Sequence, residues 1–272
     1  MKYISPFLLL LLIILMSSCG PSDQELAQKK LDYAIHLLDS NEFNKAKLVI
    51  DTLSEEFPGQ KEKIEEGRKL LNRVELKEQM SSLAFYDSML IVRKKDFEEL
   101  KKNFVFKPGP GKGYVGTYVQ KRQQVSNSYN RTFIKAIVDE NGDFYIESKY
   151  HGNSFINHDA VKIYDEGIYA ETLPVPKGIN NRQFEDGEEK WESVNYKGEY
   201  DNGAALFIAN NAQKRLKAMY KGKNPYYIVL EKFDKEAVRD AYGLSEVITE
   251  MRQLETSIKT TEERIEELKK NI

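Results

Sequence analysis

The strongest constraint on the fold is the periodicity of the C-terminal residues. Apolar side chains recur there at alternating intervals of three and four, and Thr261 is the only polar member of the series. This is the heptad pattern of a coiled coil, and it predicts a helix over 234–272 with a seam about 43 Å long. A seam this apolar needs a partner helix. The seam positions are Leu244, Val247, Met251, Leu254, Ile258, Thr261, Ile265, Leu268 and Ile272.

A second long helix offers itself as that partner. Residues 60–103 have helical periodicity, with a break expected near Gly67, and apolar residues from Leu76 to Phe104 follow heptad spacing. The C-terminal helix either runs antiparallel to this helix or pairs with a second copy of itself. We favour pairing within the chain, because both helices flank the same inserted segment and consecutive elements usually pack together.

The N-terminal part of the 26–104 helical region predicts a helical hairpin. Apolar residues recur at helical spacing over 26–38 and 42–57, and Pro58-Gly59 ends the second helix. The hairpin resembles a single tetratricopeptide repeat over 27–60, with Asn41 at the usual turn glycine. Repeat arrays need about three units, and no second copy follows. We therefore expect a packing unit that rests on another part of the chain, in preference to a peptide-binding groove. The matching positions are Ala34, Asn41, Phe43, Ala46, Ile50, Leu53 and Pro58.

Residues 105–233 have a different character and predict an antiparallel β module. Short strand-like runs alternate with turn signals, among them Asn141-Gly142, which favours a type I′ hairpin turn. A short helix is expected over 203–211. The fold class is therefore α+β, with the module forming a sandwich or a barrel-like sheet. The predicted strands are 114–120, 132–138, 144–150, 160–164, 168–173, 190–196, 215–220 and 226–231.

The first residues predict export and lipid attachment. A short basic start precedes an unbroken apolar run over 7–16, too short to span a membrane, and small residues lead to Cys19, the only cysteine. Met16-Ser17-Ser18-Cys19 resembles the lipobox of bacterial lipoproteins. That resemblance implies a signal peptide over 1–18, acylation of Cys19 with palmitate or similar chains, and a lipidated tether over 19–25. With Cys19 used in this way, the chain has no thiol left for a disulfide.

The complete plan resembles envelope lipoproteins of Gram-negative bacteria. Lipobox, helical hairpin, β insert and C-terminal coiled coil follow in that order over most of the chain. The resemblance implies membrane attachment through Cys19 and carries no activity with it. Gly20 is not an acidic retention signal, so we expect the outer membrane, on either its periplasmic or its outer face.

Aromatic residues are the best candidates for a ligand-binding surface. Trp191, Tyr196, Tyr226 and Tyr227 lie on predicted strands, together with Tyr200 nearby. They would form a platform for a sugar or a peptide if they shared one face. Alternating aromatic residues are also ordinary strand residues, so the alternative is a structural role.

Evidence for catalysis or metal binding is weak. His151 and His158, with Asp159, flank a turn and are candidate metal ligands, although turn hydrogen bonds are the default role. Ser154 lies in a Gly-x-Ser pattern that lacks the strand-to-helix setting of a hydrolase nucleophile. The charged run Glu185–Glu189 is expected to be a solvated loop, and the stretch 107–113 lacks phosphate-loop spacing.

The charge balance and the aromatic content of the chain limit the classes of protein to which it can belong. The chain has 41 basic and 43 acidic residues, a balance that gives no electrostatic case for nucleic acid, and 11% aromatic content indicates a folded chain. No cofactor motif is present, and we expect no enzymatic activity. The sequence thus favours a membrane-anchored binding or scaffold protein with a protein partner in the envelope. The alternative is a protein that binds glycan or cell wall through an aromatic β surface.

Overall fold

The computed structural model describes residues 20–272, so the predicted signal peptide and Cys19 lie outside the described residues. Its helices are α1 (Asp23–Asp39), α2 (Phe43–Asp51), α3 (Leu53–Glu56), α4 (Lys61–Leu100), α5 (Val125–Ser128), α6 (Ala204–Asn210) and α7 (Lys232–Lys270), with short 3-10 turns at Lys101–Asn103, Lys121–Gln123 and Gly198–Asp201. Its strands are β1 (Phe104–Lys107), β2 (Thr117–Gln120), β3 (Phe133–Asp139), β4 (Phe144–Gly152), β5 (Ala160–Asp165), β6 (Ile168–Glu171), β7 (Asn181–Asp186), β8 (Glu189–Asn195), β9 (Lys217–Lys221) and β10 (Tyr226–Val229). The α+β fold class is confirmed.

These elements form two compact units. The first contains the described residues up to Tyr86 together with Ser257–Ile272, and the second contains Asp87–Thr256. The first is helical. The second holds both sheets and the remaining parts of the two long helices.

The C-terminal helix packs antiparallel on the long helix of the same chain, as predicted. In the first unit, Arg264 pairs with Glu75 at 2.7 Å, and in the second, Arg93 pairs with Glu250 at 2.5 Å. Leu244 and Leu268 of the heptad seam are almost completely buried. The seam is therefore buried in part within one chain, since Met251, Leu254 and Ile258 are half-buried and Ile272 is exposed.

The helical hairpin is also confirmed. Ser22 begins α1 with a capping box in which its hydroxyl accepts from the backbone N–H of Glu25. Asn41 takes the left-handed conformation (φ 59°) that the turn requires. The expected break in α4 at Gly67 is wrong, because the helix continues through it. Gly67 instead lets α4 approach Leu53 and Ile50 closely, so the hairpin packs on the first part of α4.

The second unit contains two antiparallel sheets packed over a common core. The six-stranded sheet has the order β1-β2-β3-β4-β8-β7, and the four-stranded sheet has the order β10-β9-β5-β6. Side chains from both sheets and from α6 and α7 share one apolar cluster. The described strands form a sandwich and no closed barrel, so the first of the two predicted architectures is confirmed. Core members include Ile134, Ile146, Val194, Val161, Ile163, Ala218, Ile208 and Leu244.

Among the boundaries that differ from the prediction, three change how residues named above are assigned. Phe104 belongs to β1 and pairs with Gln120, so the heptad pattern of the long helix does not extend to it. Strand β2 begins at Thr117, after an irregular approach from residue 114. The charged run expected to be a loop is mostly the hairpin of β7 and β8, which turns at Gly187 with φ 60°. Strand β7 is at the edge of its sheet, where charged side chains oppose pairing of the free backbone edge with another chain.

Candidate ligand-binding site

The five aromatic residues predicted as a platform are not brought together, and Tyr200 packs against the apolar core of the second unit. Side chains alternate between the two faces of a strand, so Trp191 and Tyr196, five residues apart, point to opposite sides of the six-stranded sheet. Tyr196 is completely buried in the core. Tyr226 contacts the ring of Tyr150 and is 39% exposed, whereas Tyr227 is 59% exposed on the outer face of the four-stranded sheet.

Trp191 is the centre of an aromatic cluster on the outer face of the six-stranded sheet. The ring of Phe184, on the neighbouring strand β7, stacks on it with a centroid separation of 5.0 Å and an interplanar angle of 4°. The rings of Tyr129 and His151 also contact it, with centroid separations of 5.1 and 5.0 Å. Because Trp191 is only 5% exposed, the rings available to a ligand are those of Phe184 and Tyr129, each about half exposed.

A pocket of about 110 Å³ opens beside this cluster. Its rim is apolar and exposed, with Val125, Tyr129 and Phe184, and its wall carries three cationic side chains, Arg131, Lys135 and Lys149. The other lining residues are Gln123, Ser128, Phe133, Tyr150, Trp191 and Glu192.

Gln123 holds one wall of the pocket in place. Strand β2 pairs with β3 only at Asp139 and Val138. Beyond that point the side chain of Gln123, in place of strand β2, makes hydrogen bonds to the backbone of β3. Its Nε2 donates to the carbonyl of Ile134 at 3.0 Å, and its Oε1 accepts from the N–H of Ala136 at 2.9 Å. Nε2 also donates to Asp234 at 3.0 Å, which ties this wall to α7.

Arg131 is fixed by α7. Its guanidinium donates to Asp234 at 2.6 Å and lies over the rings of Phe133 and Phe233, with 4.9 and 4.5 Å between the guanidinium carbon and the ring centroids. Burial raises the pKa of Asp234, against the hydrogen bond from Gln123 and the charge of Arg131. The cation therefore has a fixed position at the pocket wall.

The two lysines of the pocket share one buried carboxylate. Lys135 lies directly opposite Glu147 in the sheet, and its ammonium donates to that carboxylate at 3.0 Å. Lys149 contacts the other oxygen at 2.9 Å, and Ser193 donates to the same oxygen. Burial disfavours the charged form of Glu147, but the two ammonium groups and the Ser193 hydroxyl outweigh it and lower its pKa to about 2. Glu147 is therefore ionised and fully engaged.

A third lysine adds positive charge near this pair. Lys107 of strand β1 has a lowered pKa, first because it is partly buried and second because the charges of Lys135 and Lys149 act on it. Three ammonium groups thus influence one another around a single carboxylate. Lys107 does not line the pocket itself, and the two lysines that do carry one more positive charge than the carboxylate they share.

The inner face of the same sheet carries a buried polar network. The Oγ of Ser148 is 2.7 Å from Nε2 of His158, whose Nδ1 is 2.5 Å from Glu192, and the hydroxyl of Tyr196 is 3.0 Å from Ser148. These distances match the nucleophile, base and orienting acid of a hydrolase. Ser148 and His158 have no exposed surface, however, and Glu192 is 1% exposed. The network satisfies polar groups between the two sheets.

The two predicted metal candidates lie apart. His151 contacts Trp191 on the outer face of the sheet, whereas His158 is enclosed on the inner face. Within residues 20–272, no group of three or more histidine, cysteine or acidic residues is placed to hold a metal ion. Ser154 is exposed after β4, and its backbone oxygen accepts from the hydroxyl of Tyr150 at 3.0 Å.

Comparison of the sequence with protein-family models, with curated proteins and with solved structures finds no match. Among the described helices, none has the length and apolar character needed to cross a membrane.

Sequence reasoning named Trp191 but missed its neighbours in the pocket. The available signal was the alternation of charge in two predicted strands, with Lys135 in one and Glu147 and Lys149 in the other. Alternating charged residues share one face of a strand. No sequence signal identified Gln123, because its role depends on where β2 stops pairing with β3.

Proposed function

We propose that this protein is a non-enzymatic, lipid-anchored binding protein of the cell envelope, attached through Cys19 and holding its ligand in the pocket beside Trp191. One observation carries the proposal. Exposed aromatic and apolar groups at the rim, Val125, Tyr129 and Phe184, meet fixed cations in the wall of a single concave site. Such a combination of apolar surface with a few placed polar groups is typical of ligand sites.

The arrangement of the acidic groups favours binding over catalysis. Glu147 is held by Lys135 and Lys149, and Asp234 is held by Arg131 and Gln123. Glu192 accepts from the backbone N–H groups of Asn157 and His158 and from Gln183. General acid or base catalysis needs a carboxyl group within reach of the substrate proton, and these three are engaged within the protein.

The test is site-specific photo-crosslinking in the native cell. A benzoylphenylalanine is introduced at Val125, on the pocket rim, and in matched strains at Lys259, an exposed position on α7. We expect a discrete adduct from position 125 that disappears when Phe184→Ser is added, and none from position 259. An unchanged adduct in the Phe184→Ser strain, or no adduct from position 125, contradicts the proposed site.

The anchor has its own test. Cells are grown with an alkyne analogue of palmitate, and the full-length protein is compared with its Cys19→Ser variant. We expect label and outer-membrane fractionation only with Cys19 present, because stable anchoring needs the attached acyl chains. Label on the Cys19→Ser protein, or an unlabelled protein with Cys19 present, contradicts lipid attachment at this residue.

A second candidate function is glycan or cell-wall binding on the other sheet. Tyr169 and Tyr227 are exposed on the outer face of the four-stranded sheet, and the ammonium of Lys162 lies 4.0 Å from the Tyr169 ring centroid. Met219 of the central strand β9 is paired with Lys162 of β5 on one side and with Tyr227 of β10 on the other. Flat exposed rings of this kind can stack on sugar rings.

Co-sedimentation with purified peptidoglycan separates the two candidates. On the glycan hypothesis, the double substitution Tyr169→Ala and Tyr227→Ala abolishes sedimentation, and Phe184→Ala does not. Sedimentation that depends on Phe184 instead assigns the cell wall to the pocket. Equal sedimentation of all variants excludes the four-stranded sheet as a glycan surface.

A further inference from the structure

The pocket wall offers hydrogen-bond donors and no free carboxylate. An ammonium group has three donors. Lys149 uses two of them, on Glu147 and on Ser193 at 3.2 Å, and Lys135 uses one, on Glu147. The carboxylates that line or support the pocket are engaged by protein groups, as described above. The donors that remain on Lys149 and Lys135 favour a polar ligand group that accepts hydrogen bonds.

Electrostatics favour an anionic acceptor over a neutral one. Arg131 is neutralised by Asp234, but Lys135 and Lys149 share only Glu147, and Lys107 adds charge nearby. Hydrogen bonds between a charged donor and a charged acceptor are roughly twice as strong as neutral ones. Lys135, Lys149 and Glu147 together leave one positive charge. The Glu192 carboxylate also lines the pocket, but it is hydrogen-bonded to Asn157, His158 and Gln183, so a single negative charge beside Lys149 would balance the local excess.

The volume of the pocket and the exposed rings at its rim limit the part of the ligand that carries the acceptor group. The pocket volume of about 110 Å³ is smaller than the roughly 150 Å³ cavity in which an engineered protein binds benzene. It accommodates a carboxylate and part of a ring, and the remainder would rest on the exposed faces of Phe184 and Tyr129. A long or branched ligand would extend past this rim into solvent.

We propose that the pocket binds a compact monocarboxylate with a flat or apolar body, its carboxylate accepting from Lys149 and Lys135 and its body against Phe184. This proposal rests on the pocket being the ligand site and adds the chemical class of the ligand. The group has two possible sources, a free small acid or an acidic sugar unit. Their shared chemistry is the carboxylate beside a ring.

The experiment uses Trp191, the only tryptophan in the chain, as an optical reporter inside the site. Benzoate, glucuronate, benzamide and inorganic phosphate are titrated into the protein while its tryptophan emission is followed. We expect a saturable change with benzoate or glucuronate, at least tenfold weaker binding of the uncharged benzamide, and weaker binding at high salt. A tenfold preference for glucuronate assigns the sugar source, and the reverse preference assigns a free acid.

Matched variants locate the interaction. Lys149→Met should weaken carboxylate binding at least fivefold and leave benzamide unaffected, whereas Phe184→Ala should weaken both. Lys162→Met, on the other sheet, should change neither. Urea unfolding of each variant establishes that it is folded at the concentration used.

Three results overturn the proposal. If benzamide binds as tightly as benzoate, the ligand does not need a charge. If phosphate binds as tightly as benzoate, the ligand does not need a ring. No emission change with any probe removes the ligand class. In that last case the adduct from position 125 still reports whether the pocket is occupied in cells, so failure of the ligand class is distinguishable from failure of the site.

Discussion

Glu192 Oε2 lies 2.5 Å from Nδ1 of His158, and the same oxygen accepts from the backbone N–H of His158 at 2.9 Å. One carboxylate thus fixes both the ring and the backbone of His158, which lies two residues before strand β5. Burial disfavours the charged carboxylate, but these hydrogen bonds and that from Asn157 outweigh it and lower the pKa of Glu192. The contact links the two sheets through β8.

The substitution Glu192→Gln should destabilise the fold by about 2 kcal/mol, because it replaces buried charge-assisted hydrogen bonds by neutral ones. Urea unfolding followed by circular dichroism measures the change. The exposed neighbour Glu188→Gln is the control and should stay within about 0.5 kcal/mol of the wild type. Equal stability of both variants would show that the buried network does not hold the sheets.

The Ser148–His158 pair should be chemically silent in the folded protein, because neither side chain has exposed surface. Incubation with diisopropyl fluorophosphate should leave the mass of the native protein unchanged. A mass increase mapped to Ser148 would instead make this network a catalytic triad and overturn the non-enzymatic interpretation.

The substitution Glu147→Gln should cost about 2–4 kcal/mol at neutral pH, since it leaves Lys135 and Lys149 without their shared counterion. The folded pKa of about 2 lies below the unfolded value of 4.5. The stabilisation is therefore present above pH 4.5 and is lost as the pH falls toward 2.

Between pH 5 and pH 3, the wild type should lose about 2 kcal/mol more than the Glu147→Gln variant. Chemical denaturation at both pH values measures this difference, with the exposed Glu166→Gln as the control. Parallel pH profiles for the wild type and Glu147→Gln would mean that the carboxylate is not specifically stabilised in the fold.

Local sequence patterns were sufficient for the helices and most strands. The heptad spacing from Leu244 to Ile272 can be read from the sequence alone. Asn141-Gly142 correctly marks the β3–β4 hairpin, but only Gly142 has positive φ, so the turn is not of type I′. Strand β7 was missed because its exposed face carries Glu185 on an edge strand, a composition that also suits a loop.

Alternation places Glu147 and Lys149 on one face of β4, but the residues that they meet depend on strand register, which no local pattern contains. Lys135 and Glu147 meet because the register of β3 and β4 places them opposite each other, and Lys149 lies opposite Ser193 on β8. Pairing between distant strands determines such contacts. The aromatic platform was predicted without that register, and the separation of Trp191 from Tyr196 follows from strand alternation.

Asp201 should give the opposite pH dependence to Glu147. Burial raises its pKa to about 6, although backbone N–H groups of Ala205, Gly203 and Ile146 oppose the shift. The folded state then binds more protons than the unfolded state between pH 3.8 and pH 6, so stability falls as the pH rises through this window.

From pH 4.5 to pH 7, the wild type should lose about 2 kcal/mol that the Asp201→Asn variant retains. Guanidinium unfolding at the two pH values provides the comparison, and the exposed neighbour Glu199→Gln should follow the wild type. A wild-type stability that rises relative to Asp201→Asn over this range would reverse the assigned sign.

Gly67 sets the distance between α4 and the hairpin. A Cβ at this position would lie 3.1 Å from Cδ2 of Leu53 and 3.5 Å from Cγ2 of Ile50. The substitution Gly67→Leu should therefore destabilise the helical unit by about 1–3 kcal/mol, since overpacking forces neighbouring side chains out of their preferred positions. Replacing glycine by leucine also raises helix propensity by about 1 kcal/mol, which is less than the free-energy cost of a severe steric overlap.

Gly59→Ala, with no atom within 4 Å of the added Cβ, is the control. Thermal unfolding followed at a helical wavelength measures both variants, and a Gly67→Leu protein as stable as the wild type would show that α4 does not depend on this close approach.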